Sequence, residues 1–202
     1  IYNAKYFYRF IGERCGRRLI GNYAAVYLNL KKFSVVNQQI GRENGTKVMK
    51  NYIQEFNKLM SKDEIIARLG GDYFLVLVYK DKLPDVLSLI NGSTVVFDVN
   101  NNAKIHVSAT AGVFDIPDDG TVRSHVDIMD KVSVAAAIAR RSPKTNVVFF
   151  DEELKARNSK DNSIAADFPI ALKNEEFKHE DLGQLNAYVG YYKANEMIEG
   201  DN

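Results

Sequence analysis

Residues with the types and spacing for chemistry are few in this chain, and the most pointed of them sit at one turn. Arg68-Leu69-Gly70-Gly71-Asp72-Tyr73-Phe74 joins two β-rich runs at 65–69 and 73–79. Gly-Gly-Asp between such runs predicts a tight hairpin, because Gly and Asp tolerate the positive φ these turns need. Its tip offers one carboxylate, Asp72; taken alone it is a plain turn with no ligand. His106 alternates along a strand and His125 precedes an apolar helix, so neither has a partner at metal-ligand spacing. Cys15 is the single cysteine, which excludes an internal disulfide framework and argues against a Cys-based zinc site. On residue type alone, Asn29 is a satisfied strand-end amide and Asn37 a helix or loop cap. Arg140-Arg141 near a helix C-terminus complements the helix dipole. The 11 Tyr and 11 Phe have no basic cluster beside them, so they suit a core and rim better than a base-stacking platform.

Composition narrows the class further. The chain has 202 residues, enough for one large domain or a domain with an appendage. Lys and Arg number 27 and Asp and Glu 26, a balance that argues against a dedicated nucleic-acid binder. At 46% apolar and 26% charged residues, wholesale disorder is excluded. No apolar run approaches the ~20 residues that span a bilayer. Ile1-Tyr2-Asn3-Ala4-Lys5 has no signal-peptide layout and no initiator Met, so the chain reads as a cytoplasmic piece of something longer, without membrane contact of its own.

The elements that must position these residues follow from periodicity. Residues 1–20 predict a helix broken at Gly21-Asn22, and residues 23–30 a strand covered on both faces. Val48, Met49, Tyr52, Ile53, Phe56, Leu59 and Met60 form one stripe of an amphipathic helix over 46–60. A short helix at 84–91, a short strand at 95–97, one half-buried strand at 104–114, a helix at 122–141 stopped by Pro143, and a strand at 147–150 complete the order. Hairpin and crossovers together predict a mixed sheet.

The ordered set Leu28-Asn29-Leu30-Lys31-Lys32-Phe33, Asn37, Gly41, Gly45 and the hairpin motif resembles the GGDEF (diguanylate cyclase) family over residues 1–152. Ile1-Tyr2-Asn3 and Ser108-Ala109-Thr110-Ala111-Gly112-Val113 extend the likeness. The resemblance implies an α/β (α+β) palm-like fold, with a central mixed, mostly antiparallel sheet wrapped by helices. It implies condensation of two GTP molecules, held on two facing domains, to cyclic di-GMP with Mg²⁺. It also assigns positions. The degenerate catalytic motif is Gly70, Gly71, Asp72 and Tyr73; the metal positions are Asp72, Asn29 and the Leu30 carbonyl; the nucleotide positions are Asn37, Thr46, Phe33 and Arg140.

Against the family pattern, Asn29 and Lys31 stand where acidic residues are usual, Tyr73 replaces the hairpin Glu, and Thr46 replaces the Asp that pairs with Asn37 on guanine. An amide is a poor Mg²⁺ ligand, and Lys31 would bring a positive charge toward the cation site and stand in for part of its charge. The product-inhibition window reads Ser61-Lys62-Asp63-Glu64, without its Arg. At the family's phosphate-contacting Lys, Ala137 or Arg140 aligns, depending on register.

The expectation is therefore a degenerate GGDEF module with a regulatory or sensory role in bacterial cyclic di-GMP signalling, upstream of an EAL phosphodiesterase domain. It would work beside that domain, a partner GGDEF domain or a second copy, with guanine nucleotide as ligand and Mg²⁺ only if activity is retained. A residual cyclase is the alternative. Residues 153–163 read as a linker. Residues 164–177, with Asp167 to Phe177, resemble the start of an EAL domain. Residues 178–202 resemble a fragment of a PD-(D/E)xK-type nuclease family, or form a docking helix; a nuclease-associated fragment is the further alternative.

Overall fold

The computed structural model describes residues 1–98, 100–154 and 156. Twelve regular elements within Ile1–Leu154 build the fold, apart from short 3-10 turns. They are β1 (Tyr2–Asn3), α1 (Ala4–Gly16), β2 (Tyr23–Leu30), α2 (Phe33–Leu59), β3 (Ile65–Gly70), β4 (Tyr73–Tyr79), α3 (Leu83–Asn91), β5 (Ser93–Asp98), β6 (Ala103–Val107), β7 (Ala109–Asp115), α4 (His125–Arg141) and β8 (Val147–Phe149).

Six strands form one sheet in the order β1-β3-β4-β2-β7-β8. The inner pairs are antiparallel, while β1 on β3 and β8 on β7 are parallel. The continuous apolar run of β2 lies at the centre because both its faces are covered. Ala24, Val26, Leu28 and Leu30 pack with Val48, Tyr52, Ile53 and Phe56 of α2 and with Val86 and Ile90 of α3. Tyr23 and Ala25 pack on the other face with Phe7 and Ile11 of α1 and Ile128 and Val132 of α4. Each large side chain buried this way contributes ~1.5–3 kcal/mol, so the two-sided sandwich fixes the register of β2 firmly. Gly112 on β7 lets α4 lie directly on the sheet: a Cβ there would overlap the backbone of Val132, Ala135 and Ala136.

Three sequence expectations are corrected. The N-terminal helix covers only Ala4–Gly16, because Asn3 accepts the Tyr6 N–H at 2.9 Å as its cap and Tyr2–Asn3 pairs with β3. The alternation over 104–114 is broken at Ser108: β6 pairs with β5 in a separate two-stranded ribbon, and only β7 enters the main sheet. The helix expected at 46–60 begins at Phe33 and bends at Gly41, whose φ of +80° is non-helical. The segments expected at 164–177 and 178–202 lie outside the described residues, as does most of the linker expected at 153–163. Among the described residues no helix is long and apolar enough to cross a membrane.

Candidate functional site

The hairpin forms as its residues dictate. Gly71 takes the left-handed region at φ +52°, where a side chain would be strained. Arg68 closes the turn, donating Nε–H to the Gly71 carbonyl at 2.8 Å, with Nη2 on the same oxygen. The turn is tied to β2 by the Leu30 N–H on the Asp72 carbonyl at 3.4 Å. The tip of the hairpin thereby stands beside the C-terminal end of β2, where the chain enters α2.

An open cleft of about 780 Å³ runs between that tip and α2. It brings together Asn29, Leu30, Phe33, Asn37, Thr46, Gly71 and Asp72 from the sequence expectations, and adds Lys32, Arg42 and Arg68, which sequence reasoning did not assign. Asn37 sits within α2, whose N-cap is Lys32, so it does not cap that helix. Its carboxamide lies against Gly45, in space that a Cβ on residue 45 would occupy. Thr46 donates its hydroxyl proton back to the Arg42 carbonyl at 2.9 Å, which leaves only a neutral oxygen acceptor facing the cleft side.

Tyr73 and Arg140 lie elsewhere. Side chains alternate along β2 and β4, so Asn29 and Tyr73 point to the α4 face while Leu30 and Phe74 point to the α2 face. A smaller cleft of about 220 Å³ on that side is lined by Tyr27, Asn29, Tyr73, Ser133, Ala137 and Arg140, among others. Both register candidates, Ala137 and Arg140, therefore line it. Arg140 donates Nη1–H to the Tyr73 hydroxyl at 3.2 Å, and Tyr73 stacks on Tyr27 at 5.8 Å between centroids. Burial first, then the neighbouring Tyr73, pushes the Tyr27 phenol above its ordinary pKa, so it stays neutral at pH 7.

Among the described residues Asn29 is the one shared by both clefts. Its Oδ1 accepts the Thr110 hydroxyl at 2.6 Å, and its Nδ2 donates to the Leu30 carbonyl at 3.4 Å. It is a satisfied strand-end amide. Thr110 is its cross-strand neighbour, a partner that only the sheet register reveals. Lys31 departs from expectation: its Nζ donates to Asn146 Oδ1 at 2.8 Å, on the β8 side, and it lines neither cleft.

The profile described as "GGDEF: Diguanylate cyclase, GGDEF domain" matches residues 1–142. The chain belongs to the GGDEF family. The bifunctional diguanylate cyclase/cyclic di-GMP phosphodiesterase MucR of Pseudomonas aeruginosa is 22% identical over 158 residues, 76% of this chain and 23% of MucR. The cyclic di-GMP phosphodiesterase NbdA of the same organism is 22% identical over 179 residues, 82% of this chain and 21% of NbdA. The chain thus spans less than a quarter of the length of these curated relatives. The solved GGDEF domain of TpbB (YfiN) from P. aeruginosa superposes with a TM-score of 0.60 at 16% identity, over 77% of this chain and 94% of that one, which establishes the shared fold.

The donor set of this GGDEF domain does not fit the Mg²⁺ that active family members use. Mg²⁺ demands several hard oxygens in near-octahedral array. Among the described residues Asp72 is the only carboxylate lining the larger cleft. The Asn29 amide oxygen already accepts a proton from Thr110, and the Leu30 carbonyl accepts from Asn29. Tyr73 is directed to Arg140 on the other face. Among the described residues no group of three or more His, Cys, Asp or Glu could hold a metal ion.

The segment Ser61–Glu64, where the family resemblance would place a product-inhibition motif, turns its last carboxylate inward. Glu64 is buried, and its carboxylate accepts from Ser61 N at 2.7 Å, Ser61 Oγ at 2.8 Å, Tyr79 N at 2.9 Å and Lys82 Nζ at 2.7 Å. Its neighbour Asp63 is paired with Arg14 at 3.4 Å. Sequence reasoning marked the missing Arg here but not the inward turn of Glu64; Lys82, eighteen residues away, gave no local signal.

Proposed function

We propose that this GGDEF domain is catalytically silent and serves as a regulatory module of a cyclic di-GMP signalling protein, responding to guanine nucleotide rather than condensing it. Joining a 3′-hydroxyl to an α-phosphate needs cations that align both groups and offset charge. The observation that carries the reading is the donor set of the larger cleft, where among the described residues Asp72 is the single carboxylate and the neutral amide of Asn29, held by Thr110 at 2.6 Å, stands beside it. With the carboxylates at positions 29 and 73 both gone, the barrier rises by several kcal/mol, at about 1.4 kcal/mol per tenfold in rate.

The relatives support the setting. MucR is named as a bifunctional diguanylate cyclase/cyclic di-GMP phosphodiesterase and NbdA as a cyclic di-GMP phosphodiesterase, and this chain matches a small share of each. In this reading the domain lies upstream of an EAL phosphodiesterase domain and acts on it, or on a partner GGDEF domain, through nucleotide occupancy of the larger cleft. Asn37 and Phe33 take the base, and the tip of the hairpin faces the phosphates.

The test is incubation of the chain with GTP and Mg²⁺ or Mn²⁺, followed by chromatographic separation of nucleotides. No cyclic di-GMP is expected at micromolar protein. Steady accumulation of product overturns the reading in favour of a residual cyclase built on Asp72.

A further inference from the structure

The lining of the larger cleft has the charge sign of an anion site and lacks the acids of a metal site. Among the described residues Lys32, Arg42 and Arg68 face it against the single carboxylate of Asp72, a formal lining charge of +2. Neither Lys32 nor Arg42 has an ion-pair partner among the described residues. Their positions are built in by the backbone. Lys32 stands at φ +50° where β2 turns into α2, and Arg42 directly follows the bend at Gly41. Arg68 spends Nε and Nη2 on the Gly71 carbonyl, which holds its guanidinium at the mouth of the hairpin with Nη1 left to donate.

A site of this kind selects the most negative form of a phosphate ligand. A nucleoside triphosphate is more negative free than as its magnesium complex, and each exposed cation gains from that difference. Arg adds planar donors that match phosphate oxygens. We propose that the larger cleft binds a purine nucleoside triphosphate as the free polyphosphate anion, with Lys32, Arg42 and Arg68 in place of the divalent cation, so that Mg²⁺ weakens binding instead of enabling it. This rests on the reading of the domain as a silent nucleotide-responsive module. It adds a sign to the response: nucleotide occupancy falls when free Mg²⁺ rises.

The experiment is calorimetric titration of GTP into the full chain, once in EDTA and once in excess Mg²⁺. Binding in EDTA is expected to be tighter than in Mg²⁺ by roughly fivefold, the scale of one exposed charge contact. It should also weaken as salt is raised, since exposed charges are screened within ~10 Å at 0.1 M. Arg42→Gln and Lys32→Gln, both at exposed positions, should each weaken binding in EDTA by roughly fivefold with an unchanged thermal midpoint. Binding that needs Mg²⁺, or no GTP binding in EDTA, overturns the proposal. So do variants that fold and bind like the wild type. Chromatography of the same samples keeps the two readings apart. Mg²⁺-enhanced binding without cyclic di-GMP refutes the free-anion mode alone, whereas product formation refutes the silent module.

Discussion

Glu64→Gln is the substitution whose cost the structure sets most closely. The Glu64 side chain is fully buried and pairs with Lys82 at 2.7 Å. One carboxylate oxygen, Oε2, accepts from Ser61 N, Ser61 Oγ and Lys82 Nζ, and the other, Oε1, accepts from Tyr79 N. Gln keeps the shape but supplies only one acceptor oxygen. Placed on the Ser61–Lys82 side, that oxygen leaves the amide –NH₂ facing the Tyr79 N–H, donor against donor, in a buried setting. A buried donor left unsatisfied costs ~1–3 kcal/mol, and loss of charge on the Lys82 contact adds to it. The expected loss is about 3 kcal/mol, near the low end for a broken buried pair because Lys82 stays partly in water.

For a domain of this size that is a drop of roughly 6–12 °C in Tm. Burial alone would push the Glu64 carboxyl up, but Lys82, Ser61 and the Tyr79 amide outweigh it and hold it below its ordinary 4.5. Its stabilisation is therefore full above pH 4.5 and is lost as pH falls through the lower folded-state value. Urea unfolding of wild type and E64Q should show the gap at pH 7 and its closing in the acid range below 4.5. A difference under ~0.5 kcal/mol at pH 7, the scale of an ordinary surface change, would refute this account of the Glu64 network. So would a gap that does not narrow with acid.

Two glycines give further tests. Gly112→Ala drives a Cβ into the backbone of α4 at Val132 and Ala136, so a loss of about 3 kcal/mol or more in urea unfolding is expected, with failure to fold as the extreme. Gly45→Ala meets only the movable end of Asn37 and improves helix propensity by up to ~1 kcal/mol. Its urea midpoint should change little while calorimetry shows weaker GTP binding, because Asn37 must swing out of the cleft; unchanged affinity would show that Asn37 does not touch the base.

Much of the fold was legible because it is written in local pattern. The 23–30 run, the Gly-Gly-Asp turn and the apolar stripe from Val48 to Phe56 each specify one element, and each is found. What failed depended on context. The 104–114 alternation has the right period on both sides of Ser108, and period alone does not reveal that β6 belongs to a different sheet. The first half of α2 carries Gly41 at a non-helical φ and few apolar residues, so its helix is set by packing. In the site, motif order named most of the residues lining the larger cleft. It did not separate the two faces of the sheet, which put Tyr73 with Arg140 and away from Asn37. Thr110, Lys32 and Arg42 were missed because their relevance comes from register and from the charge of a lining, neither of which is local in sequence.

The proposed loss of the metal centre is tested most directly by rebuilding it. Asn29 and Tyr73 are cross-strand partners in the β2–β4 register and Asn29 lines both clefts, so Asn29→Asp with Tyr73→Glu sets two carboxylates side by side, one of them at the position shared with the Asp72 cleft; Lys31 is left alone because it pairs with Asn146. The measurement is calorimetric titration of GTP, with and without Mg²⁺, into the wild type and the double variant. Mg²⁺ should tighten GTP binding in the double variant and fail to do so in the wild type. A wild type whose GTP binding is tightened by Mg²⁺ as much as that of the double variant would contradict the account.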